Sequence, residues 1–265
     1  NIRKTESTRK QRYASHSVLQ QGKWVKISIK QDGMYSLTRS SLKKMGFTNP
    51  NNVHLYGYGG HRQNEVINAD TDYDDLEEVP LYQQNSDTWL FWGNGLLYWD
   101  GNTRIQNHYA NAAYYFLTEE SAPNGIKTEE SAKGNVRNVY STFTDHVLYE
   151  KDEYAWFSGG RDLYESANYA NSSHSYKLST PHSVGDETLT IAFSAASETK
   201  TTLQPVVNGT PLSPAMTLPE LGKYVYATTE TKTYDIGNAK SSDSWNIKLS
   251  STSGNDARLD YLALH

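Results

Sequence analysis

The sequence of 265 residues contains no cysteine, which removes disulfides, thiolate metal ligands and cysteine nucleophiles together. It also lacks any apolar run approaching the ~20 residues that a membrane-crossing helix needs, so no membrane span is expected. No signal peptide stands at Asn1, as expected of a mature or cut chain. A basic excess is missing too: Lys and Arg number 25 against 30 Asp and Glu, for a net charge of −5 and a pI near 5.9. Without a positive field to neutralise phosphates, nucleic acid is not an expected partner. Arg3, Lys4, Arg9, Lys10 and Arg12 sit in a Ser/Thr/Gln-rich start that reads as a solvated lead-in. Hydrophobic content is low at 36%, with a mean hydropathy of −0.74, yet 20 Tyr and 6 Trp supply amphipathic bulk for a folded core.

What is present is a series of short alternating segments split by Gly, Asn, Ser and Thr, which predicts an all-β chain. In Trp24–Lys30, Val25, Ile27 and Ile29 share one face, Gln31-Asp32-Gly33 has turn chemistry, and Met34–Leu37 resumes the alternation, predicting a hairpin. Thr38 is placed to cap a short helix over Arg39–Met45 that Gly46 stops. Val53–Tyr56 reads as a strand ending in Gly57-Tyr58-Gly59-Gly60, and Leu76–Gln83 as one strand whose Pro80 demands an edge or a bulge. Thr88–Trp92, Leu96–Trp99 and Asn111–Thr118 follow as strands.

The polar stretch Glu119–Asn138 reads as a connector. The expected organisation is a flexible lead-in over 1–17, a small mixed β domain with one short helix over 18–120, a connector over 121–138, and a jelly-roll-like β-sandwich over 139–265. In the second half, strands are predicted at Phe143–Glu150, His174–Leu178, Thr188–Ala195, Leu203–Val207, Tyr224–Thr228, Tyr234–Ile236, Trp245–Leu249 and Arg258–Leu264. Asn208-Gly209 marks a tight hairpin. The strand-like end at Asp260–Leu264 leads to the expectation that the natural polypeptide continues past His265.

Sites for chemistry are sparse. The acidic run Asp70, Asp72, Asp74, Asp75, Glu77 and Glu78 has carboxylates at alternate positions, as calcium loops do. Counted from Asp70, however, the positions needing Gly and Glu hold Asp75 and Leu81. A solvated acidic loop is therefore the reading, with calcium at Asp70, Asp72 and Asp74 as the alternative and no other cofactor expected. The glycines after Val53–Tyr56 precede no obvious helix, so they read as a turn needing positive φ rather than a phosphate loop. The eight histidines show no zinc-ligand spacing and no GxSxG elbow appears, so nothing specifies a nucleophile. Aromatic side chains are the remaining signal. Trp89 and Phe91 share a strand face and read as core, whereas Trp156 and Tyr164, flanking Ser158-Gly159-Gly160-Arg161-Asp162, are candidates for an exposed surface. Arg161 is expected to pair with Asp162 or Glu165 or to brace a neighbouring domain.

Several linked stretches carry a family resemblance. The run GKWVKISIKQDGMYSLTRSSLKKMGF, then VHLYGYGG, DLEEVPLY, TWLFWGNG and YYFLT, followed by WFSGGRDLYE, TLTIAFSAASE, VVNGTPL and ARLDYLAL, resembles the type IX secretion system signal peptidases. These are the surface sortases of Bacteroidetes, related to the gingipain cysteine peptidases. The resemblance covers roughly residues 18–265. It implies that the chain is the non-catalytic N-terminal region of such a protein, its Cys/His peptidase domain lying C-terminal to it. It also implies export to the cell surface or periplasm, with that peptidase domain and other surface secretion components as partners. No catalytic residue carries over, and the polar segment Asn64–Asp75 departs from the pattern. The competing reading is a stand-alone surface adhesin or carbohydrate-binding sandwich; a third, an enzyme within these residues, lacks support in the sequence.

Overall fold

A computed structural model describes residues 14–64, 66, 74–124, 141–240 and 243–265. Asp70 and Asp72 of the calcium alternative and most of the expected connector lie outside the described residues. By its internal contacts the chain divides into two units, Asn1–Arg137 and Asn138–His265.

In the first unit the elements run β1 (Trp24–Ile29), β2 (Gly33–Thr38), α1 (Arg39–Lys44), β3 (Val53–Gly59), β4 (Glu78–Val79), β5 (Tyr82–Asn85), β6 (Thr88–Gly93), β7 (Leu97–Asp100), β8 (Thr103–Gln106) and β9 (Ala113–Glu119). The helix forms where local chemistry asks for it. Thr38 accepts from the Ser41 backbone N–H at 3.1 Å while the Ser41 hydroxyl accepts from the Thr38 N–H at 3.0 Å, a reciprocal cap. Gly46 at φ +91° ends it.

The strands sort into a sheet in the order β1-β9-β3-β4, a second in the order β2-β6-β5, and the β7–β8 hairpin. The hairpin expected across Gln31–Gly33 is therefore not one: β1 pairs with β9 and β2 with β6. The cause is the turn at Gly93-Asn94-Gly95, which wedges against the bend. The Asp32 carboxylate accepts the Gly95 N–H at 2.6 Å, and a Cβ on Gly95 would stand 2.5 Å from the Gln31 Cα. The single strand expected over Leu76–Gln83 is likewise two. Pro80 lacks a ladder donor and separates β4 from β5, and each of these ends its sheet, so the edge expectation for Pro80 holds. Gly57 and Gly59 adopt φ +137° and +77°, the positive values expected, but inside β3 at a register shift in its pairing with β9 rather than in a turn after it. Leu42, Val53, Leu55, Trp89, Phe91, Tyr115 and Leu117 form the core, with Trp89 and Phe91 inside as read.

The second unit contains β10 (Val147–Glu150), β11 (Ser173–Ser179), β12 (Thr188–Ala195), β13 (Thr201–Val207), β14 (Thr210–Pro211), β15 (Met216–Leu218), β16 (Thr228–Asp235), β17 (Ser244–Ser251) and β18 (Ala257–Leu264). One sheet is ordered β10-β18-β12-β16; the other runs β11-β17-β13, with β14 and β15 both on β13. All pairings are antiparallel, and from β10 to β13 and again from β15 to β18 each strand crosses to the opposite sheet. That path, closing with β18 beside β10, is the double Greek key of a jelly roll. The inner faces meet in a core that includes Leu189, Ile191, Phe193, Leu203, Trp245, Ile247, Leu249, Leu259 and Leu262. At the β13–β14 turn Asn208 and Gly209 take φ +47° and +85°, the paired positive values of a tight hairpin.

Two strand expectations are corrected here. Tyr224–Thr228 is not a strand: Tyr224 has φ +67° and the pairing with β12 starts only at Thr228. Phe143–Glu150 shrinks to β10. A third difference is informative, because β12 is buried on both faces rather than on the Leu189/Ile191/Phe193 face alone. Something covers its outer side.

Candidate interaction surfaces

At Ser194 the cover is the segment 154–164, whereas at Thr190 it is His265, 3.0 Å away. Tyr154 and Tyr164 pair as an isolated bridge, exchanging backbone hydrogen bonds at 2.8 Å each way, so the chain between them closes into a loop. Trp156 turns back under this loop and donates its indole N–H to the Ser194 hydroxyl on β12 at 2.9 Å. The indole lies between the rings of Tyr154 and Tyr164, at centroid distances of 5.2 and 6.0 Å. The Arg258 guanidinium of β18 stacks on Tyr154 at 3.9 Å.

Tyr164 is only 4% exposed, and burial pushes its phenol up to about 12. It offers no surface, and the expectation that it would is corrected. Its ring is consumed in covering the sheet. Trp156 is half-buried for the same reason, while Arg161 lies exposed near the loop tip. Glu165, one of the two partners expected for Arg161, is committed elsewhere. It accepts from the Tyr149 hydroxyl at 2.7 Å and the Tyr176 hydroxyl at 2.6 Å, with Lys151 at 3.4 Å.

The exposed aromatic surface is adjacent and was not foreseen. Phe157 stacks on Tyr226 at 4.7 Å with planes 15° apart. Tyr226 is 62% and Tyr224 89% exposed. Sequence alone could have signalled it only through the Tyr224-Val225-Tyr226 triplet, which instead reads as strand.

Polar clusters in both units knit structure together. His54 meets Glu78 at 2.6 Å and the Ala122 carbonyl at 3.2 Å. Burial disfavours its charged ring, but these hydrogen bonds and the nearby Glu120 carboxylate prevail and raise its pKa. Asp74 accepts the Ala14 backbone N–H, and Asp75 takes the Ser17 hydroxyl at 3.0 Å and the Val18 N–H at 2.6 Å. The described end of the acidic run thus ties residues 14–18 to the first unit. In the second unit His146 and His265 face each other, Nδ1 to Nδ1, at 2.7 Å, and Thr190 bonds the far side of His265 at 3.0 Å. Among the described residues no three His, Asp or Glu side chains gather in a group that could hold a metal ion. No helix among them is long and apolar enough to cross a membrane.

No family model matches the chain, and no curated protein matches it. Among solved structures, the crystal structure of dimeric latent PorU from Porphyromonas gingivalis superposes with a TM-score of 0.78 at 21% identity, over 96% of this chain and 25% of that one. A cycloalternan-forming enzyme from Listeria monocytogenes in complex with a pentasaccharide substrate reaches a TM-score of only 0.31 at 9% identity, over 91% of this chain and 19% of its own, too low to indicate a shared arrangement. The chain therefore spans about a quarter of PorU and shares the fold of that quarter.

Proposed function

We propose that residues 18–265 are the non-catalytic N-terminal scaffold and interaction region of a surface-exported, gingipain-like cysteine peptidase of the type IX secretion sortase kind. In this role the region positions or regulates a C-terminal peptidase domain and contacts other surface secretion components. The observation that carries the reading is the fit of nearly the whole chain to one quarter of PorU, a type IX secretion sortase. The lack of any cysteine supports it, since a cysteine peptidase must then keep its nucleophile elsewhere. The buried carboxylates Glu165 and Glu187 are engaged by tyrosines and by Lys240 respectively, an arrangement suited to holding loops rather than moving protons.

The test is the gene itself, followed by deletion. Reading past His265 should reveal a domain bearing Cys and His. Removing residues 18–265 from that longer protein should abolish its surface delivery or its peptidase activity. A gene without such a domain, or a deletion that leaves both properties intact, overturns the proposal.

The exposed Phe157–Tyr226 stack favours a second reading, a glycan-binding sandwich, because aromatic faces stack on sugar rings. A glycan array with the intact chain decides it: binding lost in Tyr226→Ala supports this reading, and no binding above background removes it.

A further inference from the structure

The sheet β2-β6-β5 buries only one of its faces. Alternation sends Leu37, Trp89 and Phe91 into the core of the first unit, so Met34, Ser36 and Thr38 of β2 and Thr88, Leu90 and Trp92 of β6 stand on the opposite face. Met34 lies directly across from Trp92 there, and Tyr82 of β5 directly across from Leu90. Met34, Trp92 and Tyr82 are 62%, 55% and 54% exposed, with Leu90 half-buried beside them. Single exposed apolar side chains are ordinary on a folded chain, but a contiguous group drawn from three strands marks an interaction site. Trp, Tyr and Met are also enriched where protein partners dock, and the flexible thioether adapts to a partner's shape.

The same face changes character at its other end. Thr38 and Thr88, paired across the two strands, line an open cavity of about 670 Å³ together with Arg39, Ser40, Lys43, Lys44 and Asp87. Asp87 is committed to Arg39, whose Nε it meets at 2.9 Å. Lys43 and Lys44 are exposed and form no ion pair among the described residues, so their charges are uncompensated. From the Met34–Trp92 pair to the Thr38–Thr88 pair the strands advance four residues, ~14 Å at ~3.4 Å per residue.

We propose that this face binds an extended acidic peptide segment of a partner protein, with apolar side chains seated over Met34, Leu90, Trp92 and Tyr82 and carboxylates reaching Lys43 and Lys44. Charge complementarity selects the acid, and the ~14 Å run fits an extended segment of about five residues. The lysines line a recess, which suits a protruding side chain better than a flat bilayer surface. The interaction role proposed above thereby gains a partner of stated chemistry. Peptide binding is measured on the intact chain alone, so it stands or falls without any downstream peptidase domain. With so short a segment engaged, the affinity should be on the order of 10–100 µM.

Fluorescence anisotropy at low salt tests this with a labelled Phe-Leu-Ser-Thr-Ser-Asp-Asp-Glu peptide and its reverse sequence, since either chain direction can lie along the strands. At least one should bind, and its version with lysines in place of the acids should not. Lys43→Glu/Lys44→Glu should weaken binding by about tenfold, and Trp92→Thr, at an exposed strand position, by about fivefold or more. Lys177→Glu/Lys248→Glu makes the same change of charge at exposed positions of the second unit and should leave the affinity unchanged. Circular dichroism melts show that each variant folds. No binding of either peptide, equal losses in the two charge-reversed pairs, or a Trp92→Thr chain that binds as before would overturn the proposal. Binding to phosphatidylglycerol vesicles in place of the peptides would overturn it too, and would make the face a membrane contact.

Discussion

The indole of Trp156 donates to Ser194 at 2.9 Å, and the hydroxyl of Ser194, fully buried on β12, donates in turn to the Thr228 carbonyl at 3.1 Å. This two-step link fastens the 154–164 loop to the sheet that it covers. Trp156→Phe keeps most of the ring but leaves the Ser194 hydroxyl without its donor, at a cost of about 1–2 kcal/mol. Trp156→Ala also uncovers the sheet and should cost about 3–5 kcal/mol. Urea midpoints of the two variants should differ in that order. Equal midpoints would mean that the ring packs without covering anything.

Gly95 is a second point of enforced contact. A Cβ there would stand 2.5 Å from the Gln31 Cα and 2.9 Å from the Asp32 N, both backbone atoms that cannot swing aside. Gly95→Ala should therefore force the two turns apart, break the Asp32–Gly95 hydrogen bond and destabilise the first unit by about 1–3 kcal/mol. Gly101→Ala is the control for backbone conformation alone: Gly101 has φ +57° with nothing within 4 Å of its Cβ position, so its cost should be near 1 kcal/mol. Thermal melts of the pair separate steric from conformational cost, and a Gly95 variant no worse than the Gly101 one would refute the wedge.

These two contacts show what sequence can and cannot carry. Thr38, Gly46, Asn208 and Gly209 were legible because caps and tight turns are settled within a few residues. The bend at Gln31–Gly33 was not, because whether β1 and β2 pair with each other depends on β6 and β9, and Gly33 finds its partner only at Gly93. Tyr224-Val225-Tyr226 reads as strand by propensity, yet it lies off the edge of any ladder. Of the candidate surface, the right loop was found but the wrong aromatics. Trp156 and Phe157 are adjacent and carry the same sequence signal, yet Trp156 turns in to Ser194 while Phe157 turns out to stack on Tyr226. Glu165 gave no sign of burial at all, because its tyrosine partners come from β10 and β11.

That carboxylate supports a further prediction. Tyr176 donates to Glu165 at 2.6 Å, and burial, with Tyr169 and Glu165 beside it, raises its pKa far above the usual tyrosine value. Tyr176→Phe removes one donor from a buried carboxylate and should destabilise the second unit by about 1–3 kcal/mol. Glu165→Gln softens the charge, so the double variant should lose less than the sum of the two singles. Chemical denaturation of all three completes the cycle, and strict additivity would show that the two groups do not interact.

The two units should respond to acid in opposite directions. His54 has a raised pKa in the folded chain, so its contribution to the first unit is complete below the ordinary value of 6.5 and disappears as pH climbs through the raised one. His265 behaves in reverse. Burial, with His146 across from it, lowers its pKa to about 4, so its contribution to the second unit is complete above 6.5 and drains away as pH falls toward 4. Hydrogen exchange read separately in each unit should show that, between pH 7.5 and 5, protection around β3 and β4 rises while protection where β10 meets β18 falls. Replacing His54 with Gln should flatten the first trend, and replacing His265 with Gln the second. If both units instead gain or lose protection together in the wild type, these histidines do not govern the response.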